Sequence, residues 1–216
     1  MKEKIFRYLM FILGIGINSF GIALITKGAL GTSQISSIPY VLSLKYSKIS
    51  FGTWTFLLNI LFIIMQVILL KKEFHPVQYL QIFANIIFSC LIDVSMYLLK
   101  PLQPGSLYMQ FICLLAGCFI LAFGIAVEVA PDVITVPGEG IVRALSLVTN
   151  KKFGSIKMIF DITLIIIAVI LSFLFFGKLQ GIGIGTLVSA ITVGRFVNII
   201  NKHIDLKIFC TLSLKN

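Results

Sequence analysis

Residues that suit the binding of a polar solute lie in two short segments between long apolar runs. The first segment carries a cluster of hydroxyl and amide side chains, namely Thr32, Ser33, Gln34, Ser36 and Ser37. The second reads PGEGIVR and contains Pro137, Gly138, Glu139, Gly140 and Arg143. Glycine lets a backbone approach a ligand closely, and the N-terminus of a short helix offers free N–H groups and a positive dipole end. These residue types predict a site for a small solute or an ion.

Glu139 and Arg143 also allow a simpler interpretation. They lie four residues apart, which places them on one face of a helix, and such an ion pair stabilises a helix by only about 0.2–0.5 kcal/mol. The sequence leaves both interpretations open. Charge is expected in the second segment alone, because Ser36 and Tyr40 occupy the positions that correspond to Glu139 and Arg143.

Polar residues inside the apolar runs form a second group of candidates, and they are Asn59, Asp93, Asp161 and Arg195. A charge in hydrocarbon costs about 2.5–3.5 kcal/mol on insertion scales, so such residues face a partner or a water-filled cavity. Asp161 and Arg195 each lie 17 residues from Lys178, which predicts an ion pair across a tight helical hairpin. The same argument predicts that Asn59 touches Asp93. These pairs either hold the hairpins together or line a transport pathway.

Signatures of enzymes and metal sites do not accompany these residues. His75 and His203 have no evident partner, and the four cysteines form no CxxC motif. The GIGIGT stretch at Gly181–Thr186 lacks the lysine of a phosphate-binding loop, and we interpret Gly181 and Gly185 as a GxxxG helix-packing motif. The sequence therefore predicts no catalytic residue, no metal and no cofactor, and a protein that is not an enzyme.

The composition predicts a protein that crosses a membrane several times. Of the 216 residues 58% are hydrophobic and only 12% are charged, which leaves too little polar surface to cover a soluble domain. Six runs reach the length of about 20 residues that a spanning helix needs, and they are approximately Ile5–Thr26, Phe51–Leu70, Val77–Leu99, Leu107–Val129, Phe153–Phe176 and Gly181–Ile200. The basic residues are scattered near the ends of these runs, which is typical of membrane orientation. The expected surroundings are a lipid bilayer and not nucleic acid.

The two polar segments occupy matching positions in an internal duplication. Phe20–Ala23 (FGIA) recurs as Phe123–Ala126 at an offset of 103 residues. The predicted fold is all-α and polytopic, with six transmembrane helices in two three-span repeats, residues 1–104 and 105–216. Each repeat contains a short half-helix, at 32–44 and 135–148.

The half-helices decide how the two repeats are related. About 13 residues form a helix of about 20 Å, which is too short to cross the hydrocarbon. Three crossings in each half make the repeats inverted, whereas crossing half-helices would leave them parallel. Segment length favours the inverted arrangement. With an inside N-terminus, twelve of the 18 basic residues fall on the inner side and five on the outer, so both termini are predicted to be cytoplasmic.

A family resemblance covers the chain from about Arg7 to Lys202. It rests on FGIAL, GALGTS and SFG in the first half and on VPGEGIVRALS, FGSIKMIFD and GIGTLVSAITVGRFV in the second. Together these segments resemble the YczE/YyaS/YitT family of bacterial integral membrane proteins. The resemblance implies a bacterial cytoplasmic membrane, and it supplies no catalytic residues.

These observations favour a small-solute or ion transporter of unknown substrate. Two alternatives stay open, a solute-binding membrane subunit of a larger transport complex and a membrane scaffold or regulator that transports nothing. The expected partners are a small solute and either a second copy of the chain or a partner subunit. Substrate, coupling ion and direction of transport do not follow from the sequence.

Overall fold

The computed structural model describes residues 2–74 and 76–203, and over this part the chain is helical without any strand. His75 lies outside the described residues. Eight α-helices follow one another, α1 (Lys2–Lys27), α2 (Ser37–Lys45), α3 (Phe51–Leu70), α4 (Leu80–Leu98), α5 (Leu107–Val129), α6 (Pro137–Thr149), α7 (Phe153–Phe176) and α8 (Ile184–His203). Two single turns of 3-10 helix, Lys71–Glu73 and Pro76–Tyr79, connect α3 to α4.

Six of the helices, α1, α3, α4, α5, α7 and α8, are long and apolar enough to cross a bilayer. This confirms the predicted membrane protein, and α3, α5 and α7 begin and end at the predicted residues. Ser50 and Ser106 fix two of these starts, because each hydroxyl accepts a hydrogen bond from a backbone N–H in the first turn of α3 or α5. The last span begins at Ile184 and not at the predicted Gly181, whose φ of 80° is incompatible with a right-handed helix.

The two short helices match their predictions unequally. α6 starts within two residues of the prediction, and Pro137 occupies its first turn, where a missing N–H costs no hydrogen bond. α2 has nine residues, about 14 Å, and begins at Ser37, so the predicted start at Thr32 is wrong. Gly31 has a φ of 133°, and the backbone N–H of Thr32 donates to the hydroxyl of Thr186. The chain before Ser37 is therefore a loop.

Packing divides the chain into two compact units, each made of separate segments. Unit 1 contains residues up to 33, residues 91–133 and residues from 183 onward, and so holds α1, the end of α4, α5 and α8. Unit 2 contains residues 34–90 and 134–182, and so holds α2, α3, the start of α4, α6 and α7. Both halves of the chain contribute helices to each unit. The division at residues 104 and 105 describes the duplication and stays a prediction.

In unit 1, α1 and α5 run antiparallel in close contact. A Cβ atom on Gly14 would lie 2.4 Å from the backbone nitrogen of Glu128, and one on Gly21 would lie 2.5 Å from that of Leu121. From Gly14 to Gly21 the residue number rises along α1, while the contacted residue on α5 falls from Glu128 to Leu121. The two helices therefore run in opposite directions. Only glycine fits at these two positions without a shift of backbone.

In unit 2, the short helices pack against the long ones. α6 lies against α3 and α7, and α2 lies against α7 and α3. Buried apolar side chains from these four helices form one core, made of Ile38, Val41, Phe62, Ile141, Val142, Ile156, Leu164 and Ala168. Burial of this surface fixes the position of the first turn of α6 relative to α3 and α7.

Candidate functional site

The first turn of α6 is packed tightly against neighbouring parts of unit 2. The side-chain amide of Gln66 on α3 donates to the carbonyl of Pro137 at 3.2 Å. A Cβ atom on Gly140 would lie 2.5 Å from the Gln66 amide oxygen, and one on Gly138 would lie 2.4 Å from the Ile35 side chain. The two glycines therefore allow the side chains of Gln66 and Ile35 to approach the helix closely. Their contact with a solute stays a prediction.

Glu139 projects from this turn and is half-buried. It lies outside the six candidate spans. Burial raises the pKa of its carboxyl because the charged form loses hydration. Lys157 lowers that pKa and Asp161 raises it further, so both side chains of α7 are close enough to act on Glu139.

Asp161 pairs within its own helix. Its Oδ1 lies 2.6 Å from Nζ of Lys157, one turn earlier on α7. The predicted ion pair of Asp161 with Arg195 is therefore wrong, and the Arg195 side chain is exposed. A hairpin pair requires consecutive helices to pack together, but α7 packs against α2 and α6, whereas α8 packs against α5.

Glu139, Lys157 and Asp161 form what we call the carboxylate–lysine cluster. It joins two residues that the sequence placed in separate groups, and it adds Lys157, which sequence reasoning missed. The sequence does contain a sign of this lysine, because Lys157 precedes Asp161 by four residues inside a predicted span, the spacing of an ion pair on one helix face. The ion pair within this cluster is Lys157–Asp161. Arg143 is exposed, and its pairing with Glu139, the simpler interpretation of these two residues, stays a prediction.

Buried amides connect α3 with the start of α4. Nδ2 of Asn59 donates to Oδ1 of Asn85 at 2.8 Å, and Gln66 and Gln81 exchange amide hydrogen bonds of 3.3 Å. Asn59 thus has a different partner from the predicted Asp93, which lies eight residues beyond Asn85, about 12 Å along α4. The physical reason is that amides earlier in the apolar run of α4 lie nearer to the amides of α3 than Asp93 does.

The first polar segment is divided between the two units. In unit 1 the hydroxyl of Thr32 lies 2.7 Å from that of Thr26, and both residues are buried, as is Ser33. In unit 2 the hydroxyl of Ser37 donates to the carbonyl of Gln34 at 2.6 Å, and Ser36 is buried beside them. Hydroxyls of this segment therefore form hydrogen bonds with a backbone carbonyl and with a neighbouring hydroxyl around the turn before α2.

Gly183 and Gly185 of the GIGIGT stretch lie against a loop, and Gly181 lies against side chains of α2. The backbone N–H of Gly185 donates to the carbonyl of Leu30 at 2.8 Å, and a Cβ atom on Gly183 would lie 2.6 Å from the same oxygen. The interpretation as a helical GxxxG motif is wrong, because Gly181 lies before the start of α8. Close approach of two backbones explains Gly183 and Gly185.

The comparison with known proteins now identifies the family. A model of a family of unknown function, DUF6198, matches residues 5–202. The chain belongs to this family. It is similar to the uncharacterized protein YyaS of Bacillus subtilis (strain 168), with 28% identity over 203 residues that cover 91% of this chain and 95% of the relative. No solved structure matches. The expected resemblance holds for YyaS, and the resemblance to YczE and YitT stays a prediction.

This DUF6198 member also contains a buried carboxylate that sequence reasoning missed. Nδ2 of Asn18 on α1 donates to Oε2 of Glu128 on α5 at 2.9 Å, and both residues are buried. Glu128 is the one charged residue in the apolar run Leu107–Val129, which was the signal. Within the described part of the DUF6198 chain, no group of three or more His, Cys, Asp or Glu side chains is placed to hold a metal ion.

Proposed function

We propose that this protein is a small-solute or ion transporter whose solute binds at the carboxylate–lysine cluster. The observation that supports the proposal is the presence of Glu139, Lys157 and Asp161 together beside the apolar core of unit 2. A structural role alone is a weak explanation, because a partly exposed ion pair of this kind contributes only about 0.2–1 kcal/mol to stability. Two carboxylates and one ammonium leave one net negative charge when all are ionised. The cluster therefore suits a cation or a solute with a positively charged group.

The proposal includes two inverted repeats with short helices that enter the membrane without crossing it. α1 and α5 occupy equivalent positions of the duplication, and their antiparallel contact supports this arrangement. If α1, α3 and α4 each cross the membrane and α2 does not, α5 runs antiparallel to α1. A further crossing by α2 would make α5 parallel to α1. Inverted repeats around interrupted helices are a common plan in transporters. We place the protein in the bacterial cytoplasmic membrane with both termini inside.

The test measures solute-dependent currents in proteoliposomes of the full-length protein. The probes are inorganic monovalent cations, organic amines and amino acids, applied one at a time. We expect a current in the wild type that Glu139→Gln and Asp161→Asn abolish while the protein stays folded. Asp132→Asn is the matched control, because Asp132 is exposed and outside the cluster.

Other results would change the assignment. Binding of a probe without any current would favour a solute-binding subunit of a larger complex. Currents that survive both cluster substitutions would remove the cluster from the pathway. A protein that binds and moves none of the probes, and whose cellular phenotype is unchanged in both variants, would favour the scaffold or regulator.

A further inference from the structure

The middle of α8 carries a cation on an exposed face. Arg195 belongs to a candidate membrane span, 11 residues after Ile184 at its start and 8 before His203 at its end. It therefore lies about 16 Å from one end of the helix and about 12 Å from the other. Its side chain is exposed, and within the described part of the chain it forms no ion pair.

The exposed face of α8 lies opposite the face that packs against α5. Leu187 and Ile191 precede Arg195 at spacings of four residues, so the three side chains share one face. The two apolar side chains are 58% and 59% exposed. Gly194 and Asn198 are exposed beside them. A small residue lets another membrane helix approach closely, and an asparagine can donate or accept a hydrogen bond across the contact.

An arginine in this position needs a partner. The guanidinium group is a cation with five N–H donors and no acceptor, and a cation that faces hydrocarbon is unfavourable. Long side chains near a helix end can reach the headgroups, but Arg195 lies about 12 Å from the nearer end. Lys157, by contrast, has Asp161 one turn away on its own helix.

Charge complementarity indicates a carboxylate from another protein as that partner. The candidate spans of this chain contain three carboxyl side chains, and each already interacts within its own chain, namely Asp93, Glu128 and Asp161. A second copy would therefore have to break an existing contact to reach Arg195. The phosphates of lipids lie beyond the ends of a spanning helix.

We propose that the exposed face of α8 docks a transmembrane helix of another protein, and that a carboxylate on this helix pairs with Arg195. A guanidinium and a carboxylate form two parallel hydrogen bonds, so the partner is an apolar span with one acidic residue at the depth of Arg195. The docking surface lies in unit 1, whereas the carboxylate–lysine cluster lies in unit 2. The proposal does not depend on the transport function, because it requires only that α8 crosses the membrane.

Synthetic transmembrane peptides test the surface in phosphatidylcholine liposomes that contain the full-length protein. The probe is an apolar helix of about 22 residues with one aspartate about 12 Å from an end, and the matched peptide has leucine there. We expect energy transfer to show that the aspartate peptide binds at least about tenfold more tightly, a preference that Arg195→Gln removes. Lys202→Gln, at the end of the same helix, should keep it. Equal binding of the two peptides, or a preference that survives Arg195→Gln, would overturn the proposal.

Two further variants separate the α8 face from a general effect of charge. Arg195→Asp should reverse the preference, so that a lysine peptide binds better than the leucine peptide, which misfolding cannot produce. Ile166→Arg combined with Arg195→Gln moves the cation to an exposed position on α7. Full recovery of the aspartate preference in this double variant would show that the α8 face contributes nothing, contrary to the proposal.

Other occupants of the face would give their own results. Energy transfer between two copies of the wild type that disappears in Arg195→Gln would indicate a second copy. Loss of the aspartate preference when phosphatidylglycerol replaces phosphatidylcholine would indicate a lipid phosphate. Reaction of Arg195→Cys with an impermeant reagent, in a variant without native cysteines, would place the residue in a water-filled cavity. Each of these three results would overturn the proposal.

Discussion

The ion pair on α7 is local. Lys157 lies one helical turn from Asp161, and the two side chains are 31% and 20% exposed. At this exposure the pair is worth little more than a surface ion pair, about 0.2–1 kcal/mol. The pair therefore contributes little to holding the fold together.

A double-mutant cycle on α7 distinguishes this local pair from the long-range pair that the sequence predicted. We expect Lys157→Ala and Asp161→Ala to show a coupling energy of about 0.3–0.5 kcal/mol in unfolding measurements. Asp161→Ala and Arg195→Ala should be additive, because they have different surroundings. A large coupling between Asp161 and Arg195 would contradict the observed packing of α7.

The raised pKa of Glu139 predicts a specific pH dependence. The carboxyl keeps its proton more readily in the folded protein than in the unfolded chain, where its pKa is about 4.3. Its contribution to stability is complete below that value and is lost as pH rises through the folded pKa. The melting temperature of the wild type minus that of Glu139→Gln should thus decrease as the pH rises above about 4.3 and through the raised folded pKa. Glu73→Gln serves as the exposed control, and a difference that grows with pH would refute the effect of burial.

At the scale of elements, both helices of the α1–α5 contact carry glycines where they approach each other. These glycines are Gly14 and Gly21 on α1 and Gly117 and Gly124 on α5. A Cβ atom on Gly124 would lie 2.4 Å from the backbone of Asn18, and one on Gly117 would lie 2.8 Å from that of Ile25. Each helix thus contributes small residues where the other approaches. Small residues let membrane helices pack closely.

Enlarging one of these glycines should destabilise the crossing. In Gly14→Ala the added methyl group meets the Glu128 backbone, which cannot rotate away as a side chain can. We expect a loss of about 1–3 kcal/mol, the usual cost of overpacking, measured as thermal or denaturant unfolding in detergent. Gly194→Ala is the matched control, because nothing lies within 4 Å of the corresponding Cβ position on α8. Equal stability of the two variants would show that α1 and α5 do not touch at Gly14.

At the scale of the whole molecule, the order of helix lengths is long, short, long, long in each half of the chain. The two compact units do not follow these halves, because each takes helices from both. A cut between residues 104 and 105 would therefore separate helices of each unit from their packing partners.

Labelling of single cysteines tests the topology in a variant without native cysteines. Lys27→Cys and Lys48→Cys flank α2, and Lys71→Cys follows α3. If α2 does not cross the membrane, Lys27→Cys and Lys48→Cys react with an impermeant reagent from the same side. Lys71→Cys then reacts from the opposite side. Labelling of the first two positions from opposite sides would contradict the inverted arrangement.

The sequence alone determined the helices and their surroundings. Runs of about 20 apolar residues cannot stay in water and must form helices in lipid, so α3, α5 and α7 could be delimited to the residue. The second short helix was also recognised, because its proline and glycines mark a start. The start of α2 was missed, since it depends on the hydrogen bond from Thr32 to Thr186, a residue more than 150 positions away.

Only the tertiary structure decided which helices touch, and with them the partners of the polar residues. Neighbours in sequence were expected to form hairpins, yet α7 packs against α2 and α6 while α8 packs against α5. The physical reason is that all long helices are similarly apolar, so hydropathy gives each the same affinity for lipid and for any other helix. Which helices pair is instead set by how closely their surfaces pack and by which polar side chains find partners. In this protein glycines face backbone across the α1–α5 contact, and the partner of Asp161 is a lysine one turn earlier on its own helix.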